Sequence, residues 1–202
     1  PYEHGALALR RAMDWDEYAG REDDLDAIAR AHGADPRYRG HFLRGLHVGF
    51  YCFRLPGPVH AAVGAFDEAF GFGGGEDIDY RIRANLAGFD VALAMESYLL
   101  HFRGKSTWRG GESAVETQAR NLGYVRHFVG KWGAELAGLF LFGNSAQAIE
   151  GMLAGSDLAR LFPPPGRGER HVADLGLEAM AQAGDYRGLI AVCLARRQPQ
   201  PG

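Results

Sequence analysis

Between Gly64 and Arg83 the chain reads GAFDEAFGFGGGEDIDYRIR, and this stretch constrains the fold more than any other. Gly73, Gly74 and Gly75 have no β-carbon, so the backbone there reaches conformations closed to other residues and can come close to a bulky polar group. Glu76, Asp77 and Asp79 follow in what reads as the first turn of a helix, where unpaired N–H groups and the helix dipole favour negative charge. These acids also have an ordinary explanation. Asp77 with Arg81 and Asp79 with Arg83 are i,i+4 partners of the kind that support a helix surface.

The flanking sequence gives this stretch a context. His47 to Arg54 (HVGFYCFR) reads as a short buried strand, Pro56 to Val63 as a short helix, and Gly64 to Glu68 as a turn presenting an aromatic and two acids. The helix from Glu76 stops at Gly88, and a buried strand pair is expected at Phe89 to Met95 and Tyr98 to Phe102, with His101 near the end of the second. A glycine-bearing loop, Arg103 to Gly111, leads to a long helix from Glu112 to Trp132. Its apolar stripe is Val115, Ala119, Leu122, Val125, Phe128, Val129 and Trp132, and Ser113 with Glu116 has capping-box spacing.

Outside that region the chain is largely helical in pattern. Residues 5–19 and 22–32 read as two amphipathic helices, the second with Leu25, Ile28 and Ala29 inward, Glu22, Asp23, Asp24 and Asp26 in its opening turn, and closed by Gly33-Ala34-Asp35-Pro36. Beyond Gly133, helices are expected at Ala146 to Leu153, Asp157 to Phe162, Val172 to Ala183 and Tyr186 to Arg196, with Pro163 to Gly166 a rigid break and Gly184-Asp185 a tight turn. The last two helices form a hairpin like one unit of a helical repeat. A single unit cannot bury its own face, so packing on the preceding region is expected.

Composition narrows the classes of function. The 202 residues, 47% apolar and 23% charged, are ordinary globular values. A net charge of -3 gives no general affinity for nucleic acid or an anionic membrane. Cys52 and Cys193 lie in separate apolar runs without a CxxC partner, which argues against a disulfide framework or a zinc site. No apolar run reaches the roughly 18 residues of a membrane span, and no signal peptide is visible. A cytoplasmic protein with no integral membrane segment is expected.

Four motifs in order, the strand ending at Arg54, GAFDEAF, GGGEDIDYRIR and LLHFRGKS, carry a family resemblance. They resemble the C-terminal, acceptor-side half of the catalytic domain of GT-A-fold glycosyltransferases, the inverting family 2 in particular. The phrase from Asn121 to Gly133, with its KWG ending, is similar too. The resemblance covers residues 46–133. It implies an α/β class, a partial GT-A three-layer fold with a helical C-terminal extension, divided into a helical N-terminal segment (1–45), the acceptor-side half (46–133) and the extension (134–202).

The resemblance also implies chemistry. Transfer of a sugar from a nucleotide-sugar donor to an acceptor hydroxyl, on a carbohydrate or another molecule, needs a carboxylate to take the hydroxyl proton and charge neutralisation for the departing diphosphate. Asp77 matches the second acid of the family's "ED" pair and is assigned as base. Glu76 would contact acceptor or sugar hydroxyls, and Gly74 and Gly75 would line the acceptor site. Asp79 would be structural, paired with Arg83. His101 matches a histidine that reaches a divalent cation or the diphosphate, and Mn²⁺ or Mg²⁺ is the implied metal. Arg103, Lys105 and Ser106 either engage phosphates or are solvated loop residues, and Trp108 either stacks on a sugar or packs. His4, His32, His41, His47, His60, His127 and His171 show no metal-ligand spacing and read as structural.

Two departures from the family pattern matter. Ala65 stands where a second glycine is usual, a mild change. More seriously, the nucleotide-binding half with its DxD motif is not found: Asp14-Trp15-Asp16 has the letters but follows the helical pattern of Ala6 to Met13. The competing reading is a binding or scaffolding protein that keeps part of the fold without catalysis and offers its C-terminal helices to a protein partner.

Overall fold

The computed structural model describes residues 19–45, 50, 52–71, 74–99, 112–162 and 175–197. The chain divides into two compact units, one from Pro1–Arg44 and Ala92–Lys105, the other from Gly45–Val91 and Ser106–Gly202. Described residues are mostly helical, with one two-stranded sheet. Among them no helix is long and apolar enough to cross a membrane.

The larger unit carries the glycine and acid motifs. Helix α1, Glu22–Ala34, belongs to the smaller unit; in the larger one α2 spans Gly57–Val63, with Pro56 at its N-cap, a position that suits a residue with fixed φ and no N–H. A 3₁₀ turn at Glu68–Phe70 is capped by the Asp67 carboxylate, which accepts from the Ala69 N–H. Helix α3, Glu76–Leu86, starts from Gly75, whose φ of 86° is left-handed and suits glycine.

Helix α4 runs Ala114–Trp132 behind a complete Ser113–Glu116 capping box, and Gly133, at φ 90°, ends it and opens α5, Ala134–Phe140. Helix α6, Ala146–Leu153, is capped by Ser145, and a 3₁₀ turn follows at Asp157–Leu161. The chain closes with α7, Leu175–Ala183, and α8, Tyr186–Arg196, the latter capped by Asp185. Expected residues 163–166 and 172–174 lie outside the described residues.

One apolar core joins these elements. Phe70 of the 3₁₀ turn, Ile78 and Ile82 of α3, Val125 and Phe128 of α4, Leu136 and Phe140 of α5, Leu153 of α6, and Leu189 and Ile190 of α8 are all buried in it. Helix α8 packs on α3 and α5, and α4 packs on α5 and α6. Residues 134–153 and 186–196 thus help to bury the helix that bears the acids. Burial is not what the α4 periodicity alone suggests at its start. Val115 is 78% exposed and Ala119 is exposed too, because the first turns of α4 extend beyond the helices that cover Val125 to Trp132.

The smaller unit holds α1 and the sheet. Three acids in its first turn, Glu22, Asp23 and Asp24, complement the dipole, and Arg21 Nε donates to Asp24 at 2.7 Å. Asp35 follows the helix and receives both the backbone N–H and the guanidinium of Arg37, which hold its carboxyl down at about 2. Strand β1, Phe42–Leu43, pairs antiparallel with β2, Leu93–Ala94, in the register Phe42 to Ala94 and Leu43 to Leu93.

This sheet corrects the strand expectations. Phe50 and residues 52–54, expected in a buried strand, carry none; residues 47–49 and 51 lie outside the described residues. Of the expected strand pair only Leu93–Ala94 is extended in a ladder, and its partner is Phe42–Leu43 rather than Tyr98–Phe102. Tyr98 and Leu99 are described and are not strand, while residues 100–102 are outside. An apolar run becomes a strand only where a neighbouring edge takes its backbone N–H and C=O groups. Phe50 instead donates its N–H to the Asp77 side chain. The three-layer arrangement of strands about α3 is not present among the described residues.

Candidate functional site

The site is built on the first two turns of α3 and on what α4 brings to them. Gly74 and Gly75 precede the helix, and their lack of a β-carbon is used against the protein itself. A β-carbon on Gly74 would lie 2.3 Å from a ring carbon of Tyr124, and one on Gly75 would lie 3.1 Å from Phe70. The close approach expected for a ligand is therefore occupied, on this face, by Tyr124 and Phe70. Glu76 turns back to accept the Gly74 N–H at 2.6 Å, closing the N-terminus of the helix.

Asp77 is half-buried, with one carboxylate oxygen accepting from the Ile78 N–H at 2.8 Å and the other from the Phe50 N–H at 3.3 Å. Burial pushes its carboxyl above the ordinary value, and the neighbouring Glu76 charge adds to this, while the backbone donors oppose both. Beside it lies an aromatic group. Phe66 stacks on Tyr80 with ring centroids 4.5 Å apart, and Phe50 touches Phe53 at 5.0 Å. Phe53 is 48% exposed.

Asp79, two residues on, has a different setting. Its side chain is fully buried and accepts from Arg83 Nε at 2.8 Å, from Trp132 Nε1 at 2.8 Å and from Lys131 Nζ at 2.7 Å. Lys131 also reaches Asp67 at 2.6 Å, and His127 lies 3.1 Å from the same Asp67 oxygen. Arg83 continues the network to the Val63 and Ala65 carbonyls at 2.7 and 2.9 Å. The Lys131 and His127 contacts hold the Asp67 carboxyl far below the usual carboxylate range. Burial opposes the Lys131 charge, but Asp67 and Asp79 outweigh it and raise its affinity for the proton.

The structure thus brings together Glu76, Asp77 and Gly74-Gly75 as the sequence places them. Asp79 does pair with Arg83. The members that sequence reasoning passed over are Asp67, His127, Lys131 and Trp132. Their signal was present: His127 and Lys131 stand four apart on α4, hence on one face, and face the acids of two motifs. The positions assigned to the metal, phosphates and sugar, His101, Arg103, Lys105, Ser106 and Trp108, lie outside the described residues, as do Asp14 and Asp16.

The described side chains are not arranged for a cation. Among the described residues no group of three or more His, Cys, Asp or Glu side chains is disposed to hold one. The oxygens of Asp67 and Asp79 are taken up by Lys131, His127, Arg83 and Trp132. The arrangement supplies instead a half-buried carboxylate of raised proton affinity at a helix N-terminus, on a helix anchored by partly exposed ion pairs around the buried Asp79. Comparison with protein-family models, with curated proteins and with solved structures returns no match.

Proposed function

We propose that this chain carries the acceptor-side half of a GT-A-like, inverting glycosyltransferase, with Asp77 as the catalytic base. The observation that carries the proposal is the contrast within α3: Asp79 is fully engaged by cations and donors, whereas Asp77 is held by backbone N–H groups and burial raises its proton affinity. A base works best when its affinity for the proton lies near the working pH, and a raised carboxylate moves in that direction. The order of the motifs supports the family, and the network joining Asp67, Asp79, Arg83, Lys131 and Trp132 gives two of them, GAFDEAF and GGGEDIDYRIR, and the phrase ending at Gly133 a shared structural purpose.

In this reading the acceptor oxygen bonds to the anomeric carbon of the donor as the bond from that carbon to the diphosphate breaks. The acceptor's proton passes to an Asp77 carboxylate oxygen. Glu76, whose Oε2 is committed to the Gly74 N–H, retains Oε1 for a sugar or acceptor hydroxyl. The reading includes Mn²⁺ or Mg²⁺ at the leaving diphosphate with His101 as one ligand, Arg103, Lys105 and Ser106 at the phosphates, and Trp108 at a sugar ring. Its partners are a nucleotide-sugar donor and a carbohydrate or other hydroxyl acceptor, and its place is the cytoplasm. A non-catalytic binding or scaffolding protein is the second reading. It is favoured by the number of motif residues, Asp67, Gly74, Gly75 and Asp79, that are consumed in internal contacts such a protein would keep.

Turnover separates the two. In the complete gene product, release of uridine or guanosine diphosphate from nucleotide-sugar donors is measured for the unaltered protein, Asp77→Asn and Glu76→Gln. Asp77→Asn keeps the shape and removes the basicity, so turnover is expected to fall at least about a hundredfold, with donor affinity little changed. Near-normal turnover in Asp77→Asn with loss in Glu76→Gln reverses the two roles. Absence of transfer in the unaltered protein, across donors and with Mn²⁺ present, favours the second reading.

A further inference from the structure

The aromatic residues beside Asp77 run from buried to open. Tyr80 on α3 is buried, with the Arg83 guanidinium carbon 4.9 Å from its ring centroid. Phe66 stacks on Tyr80 and is half-buried, as is Phe50, while Phe53 at the outer end is exposed. Phe53 meets Phe50 at 5.0 Å and Phe66 at 5.8 Å, so two rings hold it while the rest of its surface faces solvent. The set is tied to the carboxylate at two points. The Phe50 N–H donates to Asp77 at 3.3 Å, and Tyr80 follows Asp77 by three residues on α3, which makes the two neighbours on the helix surface. The other exposed large apolar side chains of the larger unit, among the described residues, are Val115 and Leu161, single aliphatic groups on α4 and the second 3₁₀ turn, and such groups are ordinary on a surface.

An open ring held beside two carboxylates matches one kind of hydroxyl compound better than others. A pyranose presents weakly positive C–H groups on its faces and hydroxyls around its rim. The negative face of an aromatic ring attracts the first, and carboxylate oxygens accept from the second. Each Asp77 oxygen holds one backbone N–H and has a further lone pair, and Glu76 commits one oxygen to the Gly74 N–H. A serine or threonine hydroxyl on a peptide has no C–H face to stack, and a long-chain alcohol has no rim of hydroxyls for Glu76. Arg83, which rests on Tyr80 and pairs with Asp79 at 2.8 Å, ties the rings to the buried network, and a surface fixed in advance binds with less ordering cost. We propose that Phe53 determines acceptor specificity: it seats a pyranose by its C–H face with a rim hydroxyl at Asp77 and Glu76, so that the acceptor is a glycoside and not a peptide hydroxyl or a long-chain alcohol. The inference deepens the reading of Asp77 as base and rests on it.

The first measurement needs no turnover. NMR of the full chain, labelled in its Phe rings, uses the methyl glycosides of glucose, galactose, mannose and N-acetylglucosamine as probes, with N-acetylserine amide and hexanol for comparison. At least one glycoside is expected to shift the Phe53 ring signals, assigned with Phe53→Leu, and to receive saturation transfer on its ring C–H protons; the two comparison compounds are expected to do neither. No effect of any glycoside at Phe53, or an equal effect of either comparison compound, overturns the proposal. In the complete gene product, with the bound glycoside as acceptor, Phe53→Ala is expected to raise the acceptor KM about tenfold with kcat little changed, and Phe53→Trp to keep KM near the unaltered value. If glycosides bind at Phe53 while Asp77→Asn retains turnover, the seat stands and the assignment of Asp77 as base fails. If Asp77→Asn abolishes turnover while Phe53→Ala leaves the acceptor KM unchanged, the base stands and the seat fails.

Discussion

Asp77 and Asp79 are two residues apart on α3, yet one is solved as a structural problem and the other is left poised. Asp79 has no exposed surface and three cationic or strongly donating partners, from Arg83, Lys131 and Trp132. Asp77 keeps some exposure and has backbone donors at 2.8 and 3.3 Å, with Glu76 as a like charge. A carboxylate at the bottom of a network fixes geometry. A carboxylate raised by burial stores proton affinity. Their proximity teaches that one helical turn can carry both an anchor, Asp79, and a carboxylate left to backbone donors and burial, Asp77.

The sharpest way to break this contrast is Asp79→Ala. It removes the buried acceptor shared by Lys131, Arg83 and the Trp132 indole N–H, leaving, among the described residues, Lys131 only Asp67 and Arg83 only the Val63 and Ala65 carbonyls, and losing one partner of a buried pair typically destabilises by about 3–5 kcal/mol. Urea denaturation of the larger unit is expected to show a loss of that order. By contrast, Asp77→Asn removes a carboxylate that burial disfavours, so the same measurement should show stability unchanged or raised at neutral pH. A loss at Asp77 equal to that at Asp79 would place both in one structural network and dissolve the distinction.

A smaller effect is expected at the glycine that seats α3. Gly74→Ala puts a β-carbon 2.3 Å from the Tyr124 ring at a backbone φ of 142°, so the ring has to move and the backbone is strained. Overpacking of this kind costs about 1–3 kcal/mol. Tyr124→Ala in the same chain should recover part of it by opening the space, which a double-mutant cycle measures.

The smallest effect is the pH dependence of the Asp67 pair. Its folded affinity for the proton is depressed by Lys131 and His127, so the stabilisation is present above the unfolded carboxyl value of about 3.9 and is lost as pH falls towards the folded value. Lys131 is raised, so its share is present below about 10.4 and is lost as pH rises through its folded value. With both side chains partly exposed the pair contributes on the order of 1 kcal/mol. A melting temperature followed from pH 6 down to pH 2 should fall less in Lys131→Met than in the unaltered protein. Equal slopes would mean that other carboxylates carry the acid sensitivity.

What the sequence by itself determined is what depends on neighbours within a few residues. The Ser113–Glu116 capping box, the helix that starts after Gly75, the Asp79–Arg83 pair and the Gly184-Asp185 turn are local hydrogen-bonding and backbone events, written in adjacent letters. Tertiary structure alone decided the rest. Lys131 meets Asp67 and Asp79 across sequence separations that no periodicity encodes, and Gly74 and Gly75 meet Tyr124 and Phe70 where a ligand was expected. The runs near residues 50 and 90 read as buried strands, yet Phe50 is only half-buried and Cys52, Phe53 and Arg54 are exposed; a strand exists only when another edge completes its ladder, and here Leu93–Ala94 found Phe42–Leu43. Arg81 read as a surface i,i+4 partner and is fully buried, because α5 and α8 brought Phe140 and Tyr186 to a face that the local pattern leaves open to water.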